Sequence, residues 1–235
     1  MAVSEPILHP ILHQGRSLSL RRTVPDDAPL LFQRAYQNSE FMQLFRLNDR
    51  PANVDEVRSR LETLHQQPPD SLGYLELMMV HHQHGPVGLV VLSDYAALHR
   101  RAEFLIGLFD TAHRHASYGL EASLMTLDLA FNAYAMNRVY AYTYAYNQPA
   151  QKGLTSLGFV LEGVLVQHVF DRSTEQFVDL HCYGMTVQQF RQARRLCSLA
   201  QRLLGRDITQ IASRPPLPSP TPQPQFIKSG TFCWQ

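Results

Sequence analysis

The sequence predicts a mixed α/β fold, with one central sheet and helices on both of its faces. Two observations lead to this prediction. Amphipathic segments come first and a run of apolar strands follows, after which strands and helices alternate. An order of this mixed kind is typical of a sheet that is covered on both faces. Apolar residues make up 45% of the 235 residues, which is enough for a sizeable core.

The first half of the chain supplies the predicted helices and strands in blocks. Residues 18 to 22 alternate apolar and polar side chains, as an edge strand does. Asp26 precedes an apolar stripe, so we expect it to cap the helix that follows. Two more helices and then three strands are expected, in this order: "NSEFMQLFRLND", "NVDEVRSRLETLHQQ", "LGYLELMMV", "GPVGLVVLSDY" and "RAEFLIGLF".

The second half alternates helix and strand before it ends in a proline-rich tail. Gly158 is expected to end a short helix. The predicted elements are the helix "SYGLEASLMTLDLAFNAYAM", the strand "RVYAYTYAYN", the helix "QPAQKGLTSLG" and the strands "FVLEGVLVQHVFD" and "EQFVDLHCYGMT". We therefore expect an N-terminal extension over 1–16, a folded domain over 17–186, an amphipathic helix over 187–206 and an uncompacted tail over 207–235.

Composition argues against several classes of partner. The net charge is +1 without a long basic run, whereas nucleic-acid binding needs clustered Lys and Arg. Three widely spaced cysteines match neither a disulfide framework nor a metal site. No apolar stretch approaches the roughly 20 residues that span a bilayer, and no leader peptide is evident. We expect a cytoplasmic protein that binds neither membrane nor nucleic acid.

Three histidines, His81, His82 and His84, cluster between two predicted strands. No cysteine or acidic residue completes a ligand set beside them, so we interpret "HHQHG" as a polar hairpin turn and expect no metal.

The loop between Phe109 and the helix beginning near Ser117 is the strongest functional feature. A helix N-terminus presents unpaired N–H groups and a partial positive charge, which together bind phosphate groups. Ala116, Ser117 and Gly119 are small enough to let a phosphate approach the backbone, and Arg114 adds a positive charge. An ordinary strand–helix connection is the alternative.

Two motifs resemble the GCN5-related N-acetyltransferase (GNAT) superfamily over roughly residues 18 to 185. In "RHASYG", Arg114 and Gly119 match the family's pyrophosphate loop, while Ser117 stands where its first glycine is usual. "RRAEFLIGLF" resembles the ribosomal-protein and polyamine branch. The second signature comprises Asn147, Ala150, Gly158, Phe159, Glu162 and Gly163. The resemblance implies a mostly antiparallel sheet and an N-acetyltransferase with acetyl-coenzyme A as its acyl donor.

The resemblance also implies where that donor lies. It would sit between the strand ending at Phe109 and the strand beginning at Arg138, beside Asn147. Its pantetheine would pair with the backbone of Leu108 and Phe109. Its pyrophosphate would rest on the segment containing Arg114, His115, Ala116, Ser117, Tyr118, Gly119 and Leu120.

Direct attack by an amine needs a base for the ammonium proton and an acid for the leaving thiolate. Glu103 is the candidate base, and the alternative is a surface carboxylate paired with Arg100 or Arg101. Leu154 occupies the position where related enzymes often carry the acidic tyrosine. Tyrosines alternate along one strand, so Tyr144 or Tyr146 is the candidate acid, with plain aromatic packing as the alternative; the stripe comprises Tyr140, Tyr142, Tyr144 and Tyr146.

The acceptor would be a small-molecule amine or a protein N-terminus. Four carboxylates are either part of the acceptor wall or ordinary helix caps, namely Glu40, Asp49, Asp55 and Glu56. Two alternatives stay open. One is an acyltransferase with a longer or carrier-bound donor. The other is a catalytically silent module, which could bury the face of Leu196, Leu199 and Leu203 against another subunit as a homodimer.

Overall fold

The structure is a computed structural model that describes residues 11–45, 50–67, 69–110, 112, 117–171 and 174–210. The first ten residues and the proline-rich tail from residue 211 lie outside these ranges.

Eight strands form a single sheet in the order β1-β2-β3-β4-β5-β6-β8-β7. Neighbouring strands are antiparallel except for β5 and β6, which pair in parallel. The strands are β1 (Ile11–Gln14), β2 (Leu18–Arg22), β3 (Tyr74–His81), β4 (Gly85–Ala96), β5 (Arg101–Leu108), β6 (Arg138–Tyr144), β7 (Val160–Asp171) and β8 (Gln176–Thr186). The prediction of a mixed, mostly antiparallel sheet is confirmed.

Helices cover both faces of the sheet, as predicted. The helices are α1 (Ala28–Leu31), α2 (Ser39–Leu44), α3 (Val54–Gln66), α4 (Pro69–Leu72), α5 (Tyr118–Asp128), α6 (Gln148–Leu157), α7 (Val187–Gln192) and α8 (Arg194–Leu204). One core contains α5, α6 and α8 with apolar side chains from most strands. A second, smaller core lies on the other face, where α1, α2 and α3 pack on β3, β4 and β5. Among the described residues, no helix is long and apolar enough to cross a membrane.

The first helical segment begins differently from the prediction. A 3₁₀ turn over Pro25–Asp27 precedes α1, and the Asp27 carboxylate accepts the N–H of Val24 at 2.9 Å. Asp27 also receives two hydrogen bonds from Arg21, each 2.7 Å long. Val24 is the N-cap of the 3₁₀ turn and Asp27 that of α1, so the prediction that Asp26 caps the helix was wrong. Because of this tight turn, the capping residue is Asp27, one residue later than predicted.

The segment over 187–206 forms two helices rather than one. Ala193 leaves the helical conformation with a ψ of 84°, which separates α7 from α8. Phe190 and Leu196 are both fully buried. If Phe190 and Leu196 stood on one straight helix, six residues apart, their side chains would point about 120° away from each other. The break at Ala193 lets both side chains reach the core.

The leucine face of α8 packs against the core of its own chain. Leu196 is fully buried, and Leu199 and Leu203 pack on the same cluster. The expectation that this face is available to a second subunit was therefore wrong. The apolar stripe of α8 completes the fold because α5 and α6 leave that side of the core uncovered without it.

Candidate active site

An opening between β5 and β6 dominates the middle of the sheet. The two strands pair at three positions, where Arg101, Ala102 and Glu103 lie opposite Arg138, Val139 and Tyr140. β5 then continues to Leu108 and β6 to Tyr144, without further ladder pairs between them in the described part of the chain. The strands therefore separate beyond Glu103 and Tyr140, and each leaves backbone groups facing the opening.

Strand alternation decides which backbone groups of β5 face this opening. The Phe109 N–H donates to the Val87 carbonyl of the β4 side at 3.0 Å, and its carbonyl accepts from Asn38 Nδ2 at 3.1 Å. Successive residues of a strand point their backbone groups in opposite directions. Leu108 and Ile106 therefore direct theirs away from β4 and toward the opening. Phe109, which the sequence placed beside Leu108 in this role, uses its backbone within the fold.

The N-terminus of α5 begins at a residue in a left-handed conformation. Ser117 stands at the N-cap with a φ of 61°, a left-handed conformation that glycine adopts freely. A side chain built on Gly119 would meet no described atom within 4 Å. The Tyr118 ring lies against His81, with 4.7 Å between ring centroids. Arg114, His115 and Ala116 lie outside the described residues.

A buried carboxylate that the sequence did not single out anchors the same helix turn. Glu121 is 3% exposed and accepts the backbone N–H groups of Ser17 at 2.8 Å and Leu18 at 3.2 Å, together with the Ser17 hydroxyl. A side chain on Gly15 would collide with this carboxylate. Glu121 thus ties the start of α5 to the β1–β2 turn. An acidic residue in the first turn of a helix is usually explained by its favourable interaction with the helix dipole. The sequence therefore did not predict that Glu121 is buried.

Glu103 lies at the point where the opening begins. Its Oε2 accepts from the Ser93 hydroxyl at 3.2 Å. The two arginines proposed as its alternative partners bind elsewhere. Arg101 forms an ion pair with Asp94, and Arg100 donates to the Ala135 carbonyl at 2.7 Å.

Tyr140 is fixed beside Glu103. Its hydroxyl donates to Asp94 and lies 3.0 Å from the Arg101 guanidinium, which donates to it. Burial and the negative charge of Glu103 raise the pKa of Tyr140 to about 12, against the opposing effect of Arg101. Tyr140 is therefore a protonated hydrogen-bond donor at neutral pH.

The two candidate acids lie further along the same face. β6 ends at Tyr144, so Tyr146 follows the strand, and the two rings stack with centroids 5.2 Å apart. The Tyr146 hydroxyl is hydrogen-bonded to Gln43 of α2. Burial and the charge of Asp171 raise the pKa of Tyr146 to about 12. Tyr146 thus connects the aromatic stripe of the sheet to helix α2.

The second sequence motif shapes the start and the end of α6. Asn147 Oδ1 accepts the Ala150 N–H at 3.3 Å and caps the helix. Gly158 ends it with a φ of 95°, as predicted. Leu154 is buried in the core and carries no proton to donate. The motif is therefore structural in its described contacts.

Two of the remaining sequence candidates, Glu56 and His81, make local hydrogen bonds. Glu56 accepts the Ala52 N–H at 2.8 Å at the start of α3, and Asp49 lies outside the described residues. His81 Nδ1 accepts the N–H groups of Gln83 and His84, each at 3.1 Å, within the β3–β4 turn. Within the described ranges, no three His, Cys, Asp or Glu side chains come together as a metal site.

Comparisons with known proteins agree with this architecture. Residues 17–160 match the model of an acetyltransferase (GNAT) domain. No curated protein matches the sequence.

Solved structures share the fold at low sequence identity. The spermidine N-acetyltransferase SpeG of Vibrio cholerae, in a mutant form, is 20% identical with a TM-score of 0.63, over 75% of this chain and 98% of its own. Its manganese complex is 21% identical with a TM-score of 0.62, over 76% and 96%. A T. thermophilus protein, whose acetyltransferase assignment is itself provisional, is 21% identical with a TM-score of 0.64, over 82% and 97%.

The family match covers more than half of the chain, and the opening between β5 and β6 lies inside it. The chain belongs to the GNAT family of acetyltransferases and is an acyltransferase.

Proposed function

We propose that this chain is an acetyl-coenzyme A-dependent N-acetyltransferase that acts on a primary amine. The observation that carries the proposal is the separation of β5 from β6 beyond Glu103 and Tyr140. It leaves an open strand edge inside the sheet, directly beside the carboxylate that is the candidate base. An extended acyl donor can pair with such an edge as an added strand does.

The described residues fit a donor of this kind. Leu108 and Ile106 offer backbone groups along the opening, so they take the pairing role in place of Phe109. Ser117 and Gly119 suit a pyrophosphate at the α5 N-terminus, because Ser117 adopts the left-handed conformation usual for glycine and a side chain built on Gly119 meets no described atom within 4 Å. We assign the remaining phosphate contacts to the backbone of His115, Ala116, Tyr118 and Leu120 and to the side chain of Arg114, with Asn147 at the pantetheine side.

Acetyl-coenzyme A, when bound, supplies the acetyl thioester that the amine nitrogen attacks directly. Glu103 accepts the proton of the incoming ammonium group, since it lies at the start of the opening and Ser93 holds its carboxylate. Tyr140 is the register partner of Glu103, but its hydroxyl donates to Asp94, so we assign it no proton transfer.

Tyr144 is the better of the two candidate acids. A thiol has an ordinary pKa of about 8.5, so a phenol with a pKa near 12 would release its proton to a thiolate only against a difference of roughly 3.5 pKa units. Tyr146 has such a raised pKa and is held by Gln43. Tyr144 ends β6 on the same face and lies two residues nearer to the pair of Tyr140 and Glu103 along the strand.

Calorimetric titration with acetyl-coenzyme A tests the donor assignment. The wild-type chain should bind with a micromolar Kd, and Ser117→Glu should abolish binding because its carboxylate would repel the pyrophosphate. Glu62→Gln, on the exposed side of α3, is the control and should bind as the wild type does. An amine screen with release of free coenzyme A as readout then tests the activity. No binding by the wild-type chain would overturn the donor and favour a longer or carrier-bound acyl group or a silent module.

A further inference from the structure

The strand register and the side-chain sizes of β6, β8 and β7 outline a shallow trough on the sheet face on which Glu103 lies. Its floor follows one row of register partners, Tyr142 on β6, Cys182 on β8 and Gly163 on β7. Cys182 is half-buried, and a side chain built on Gly163 would meet nothing within 4 Å. Small side chains on two adjacent strands therefore leave a depression about 10 Å long, since strands lie roughly 4.8 Å apart.

Larger groups form the two walls of this trough, on the rows before and after it. One wall is the Arg138–Glu162 ion pair, which lies over Gly184 in the space that a side chain there would fill. The other is formed by Tyr144 and Leu165, both opposite the buried Leu180. Same-face rows are about 7 Å apart along a strand, so the trough has the width of one aromatic ring.

The inner end of the trough meets the reaction centre. The rings of Tyr140 and Tyr142 contact edge to face at 5.6 Å, and Tyr140 is the register partner of Glu103. A substrate whose amine reaches Glu103 can therefore extend its body over Tyr142 toward Gly163.

Charges along the trough cancel. Glu162 is bound to Arg138 by a 2.7 Å hydrogen bond and a second shorter one, and Asp94 is paired with Arg101. Asp171 lies beside Tyr146, beyond the wall that Tyr144 forms. A polyamine carries several ammonium groups, whereas the Glu162 and Asp94 carboxylates along the described trough are already neutralised by arginines.

We propose that this trough binds the apolar or aromatic body of an amine that carries a single positive charge, with the ammonium group at Glu103. The inference rests on the proposed N-acetyltransferase function and narrows its substrate class. The tyrosine faces favour both parts of such a molecule, because aromatic rings bury apolar area and attract cations. The chain would then differ in acceptor from the spermidine N-acetyltransferases that share its fold.

Steady-state kinetics with phenethylamine, ethylamine and spermidine test this proposal. Phenethylamine should exceed both other amines at least tenfold in kcat/KM. Gly163→Val fills the trough and should lower the ratio of phenethylamine to ethylamine about tenfold, through KM rather than kcat. Val164→Ala, on the opposite face of the same strand, should leave that ratio unchanged.

A second measurement needs no variant. Burial and the charge of Glu162 raise the pKa of the Cys182 thiol, so its reaction with iodoacetamide should be followed at alkaline pH, by mass spectrometry of its peptide. Phenethylamine should slow this reaction while spermidine does not. Preferred acetylation of spermidine, or equal protection by both amines, would overturn the trough while leaving the N-acetyltransferase function intact. If the chain binds acetyl-coenzyme A but acetylates no amine, the proposed function is overturned and the trough with it.

Discussion

Glu103 and Tyr140 face each other at the last paired position between β5 and β6. On one side of this pair the two strands form a continuous sheet, and on the other they separate. The candidate base therefore lies where the backbone of the sheet becomes available to a ligand. Ser93 and Asp94, at the end of β4, hold the two side chains in place.

Replacing the carboxylate of Glu103 should separate chemistry from donor binding. Glu103→Gln should lower kcat about 100-fold or more, because a positioned general base contributes roughly 10² to 10⁴ in rate. The Kd for acetyl-coenzyme A should change by less than about twofold, as measured by calorimetry. Glu62→Gln should leave both quantities unchanged. An unchanged kcat for Glu103→Gln would assign the proton transfer to water or to another residue.

The two tyrosines at the end of β6 should differ when their hydroxyl groups are removed. Tyr144→Phe should lower kcat about 100-fold, whereas Tyr146→Phe should lower it less than about threefold. We expect the difference because Tyr144 ends β6, nearer to Tyr140 and Glu103, and because the pKa of about 12 for Tyr146 disfavours transfer of its proton to a thiolate. Each variant is the matched control of the other. The reverse order of effects would move the acid to Tyr146.

The left-handed backbone of Ser117 makes a prediction about stability. Left-handed φ costs a residue with a side chain about 1 kcal/mol, and most of all a β-branched one. Ser117→Gly should therefore raise the free energy of unfolding by about 0.5 kcal/mol, after the larger backbone entropy of unfolded glycine is subtracted. Ser117→Val should lower it by about 1 kcal/mol. Urea unfolding measures both, and equal stability of the two variants would contradict a left-handed residue 117.

Asp128 predicts a pH dependence of stability. Its buried carboxylate lies 2.6 Å from His13 Nε2, accepts from Asn132 at 2.6 Å and pairs with Arg206. Burial alone would raise the pKa of Asp128, but the hydrogen bonds from His13 and Asn132 and the charge of Arg206 lower it below its ordinary value. A carboxyl group with a lowered folded-state pKa stabilises the fold above its unfolded pKa, near 3.9, and loses that contribution as the pH falls through the folded value.

Asp128→Asn should therefore lower the free energy of unfolding by about 3 kcal/mol at pH 7. The difference from the wild type should shrink as the pH falls below about 4, as denaturant unfolding at several pH values would measure. Asp26→Asn is the control, since its exposed pair with Arg58 at 3.6 Å is worth less than about 1 kcal/mol. If the difference in the free energy of unfolding between the wild type and Asp128→Asn does not change with pH, the charge of Asp128 does not contribute to stability.

Local patterns were enough to predict the class of fold and the limits of most elements. The apolar runs of β3, β4 and β5 have the length and residue types of buried strands, and Gly158 ends α6 as its type suggests. Where the chain turns tightly, patterns were less reliable. The 3₁₀ turn moved the capping role from Asp26 to Asp27, and the break at Ala193 divided one predicted helix into two.

For the site, the sequence by itself determined which residue types are present and their order along the strands, because alternation along a strand is a local property. That is why the tyrosine stripe could be named without a structure, whereas Glu103 and Leu108 were named from the resemblance to the GNAT family. Tertiary structure alone decided that β5 and β6 separate after Glu103, that Glu121 fixes the start of α5, and that Gly163 and Cys182 lie in one trough. These facts depend on pairings between segments that are far apart in the chain, and strand register and burial are set by the packing of the whole sheet.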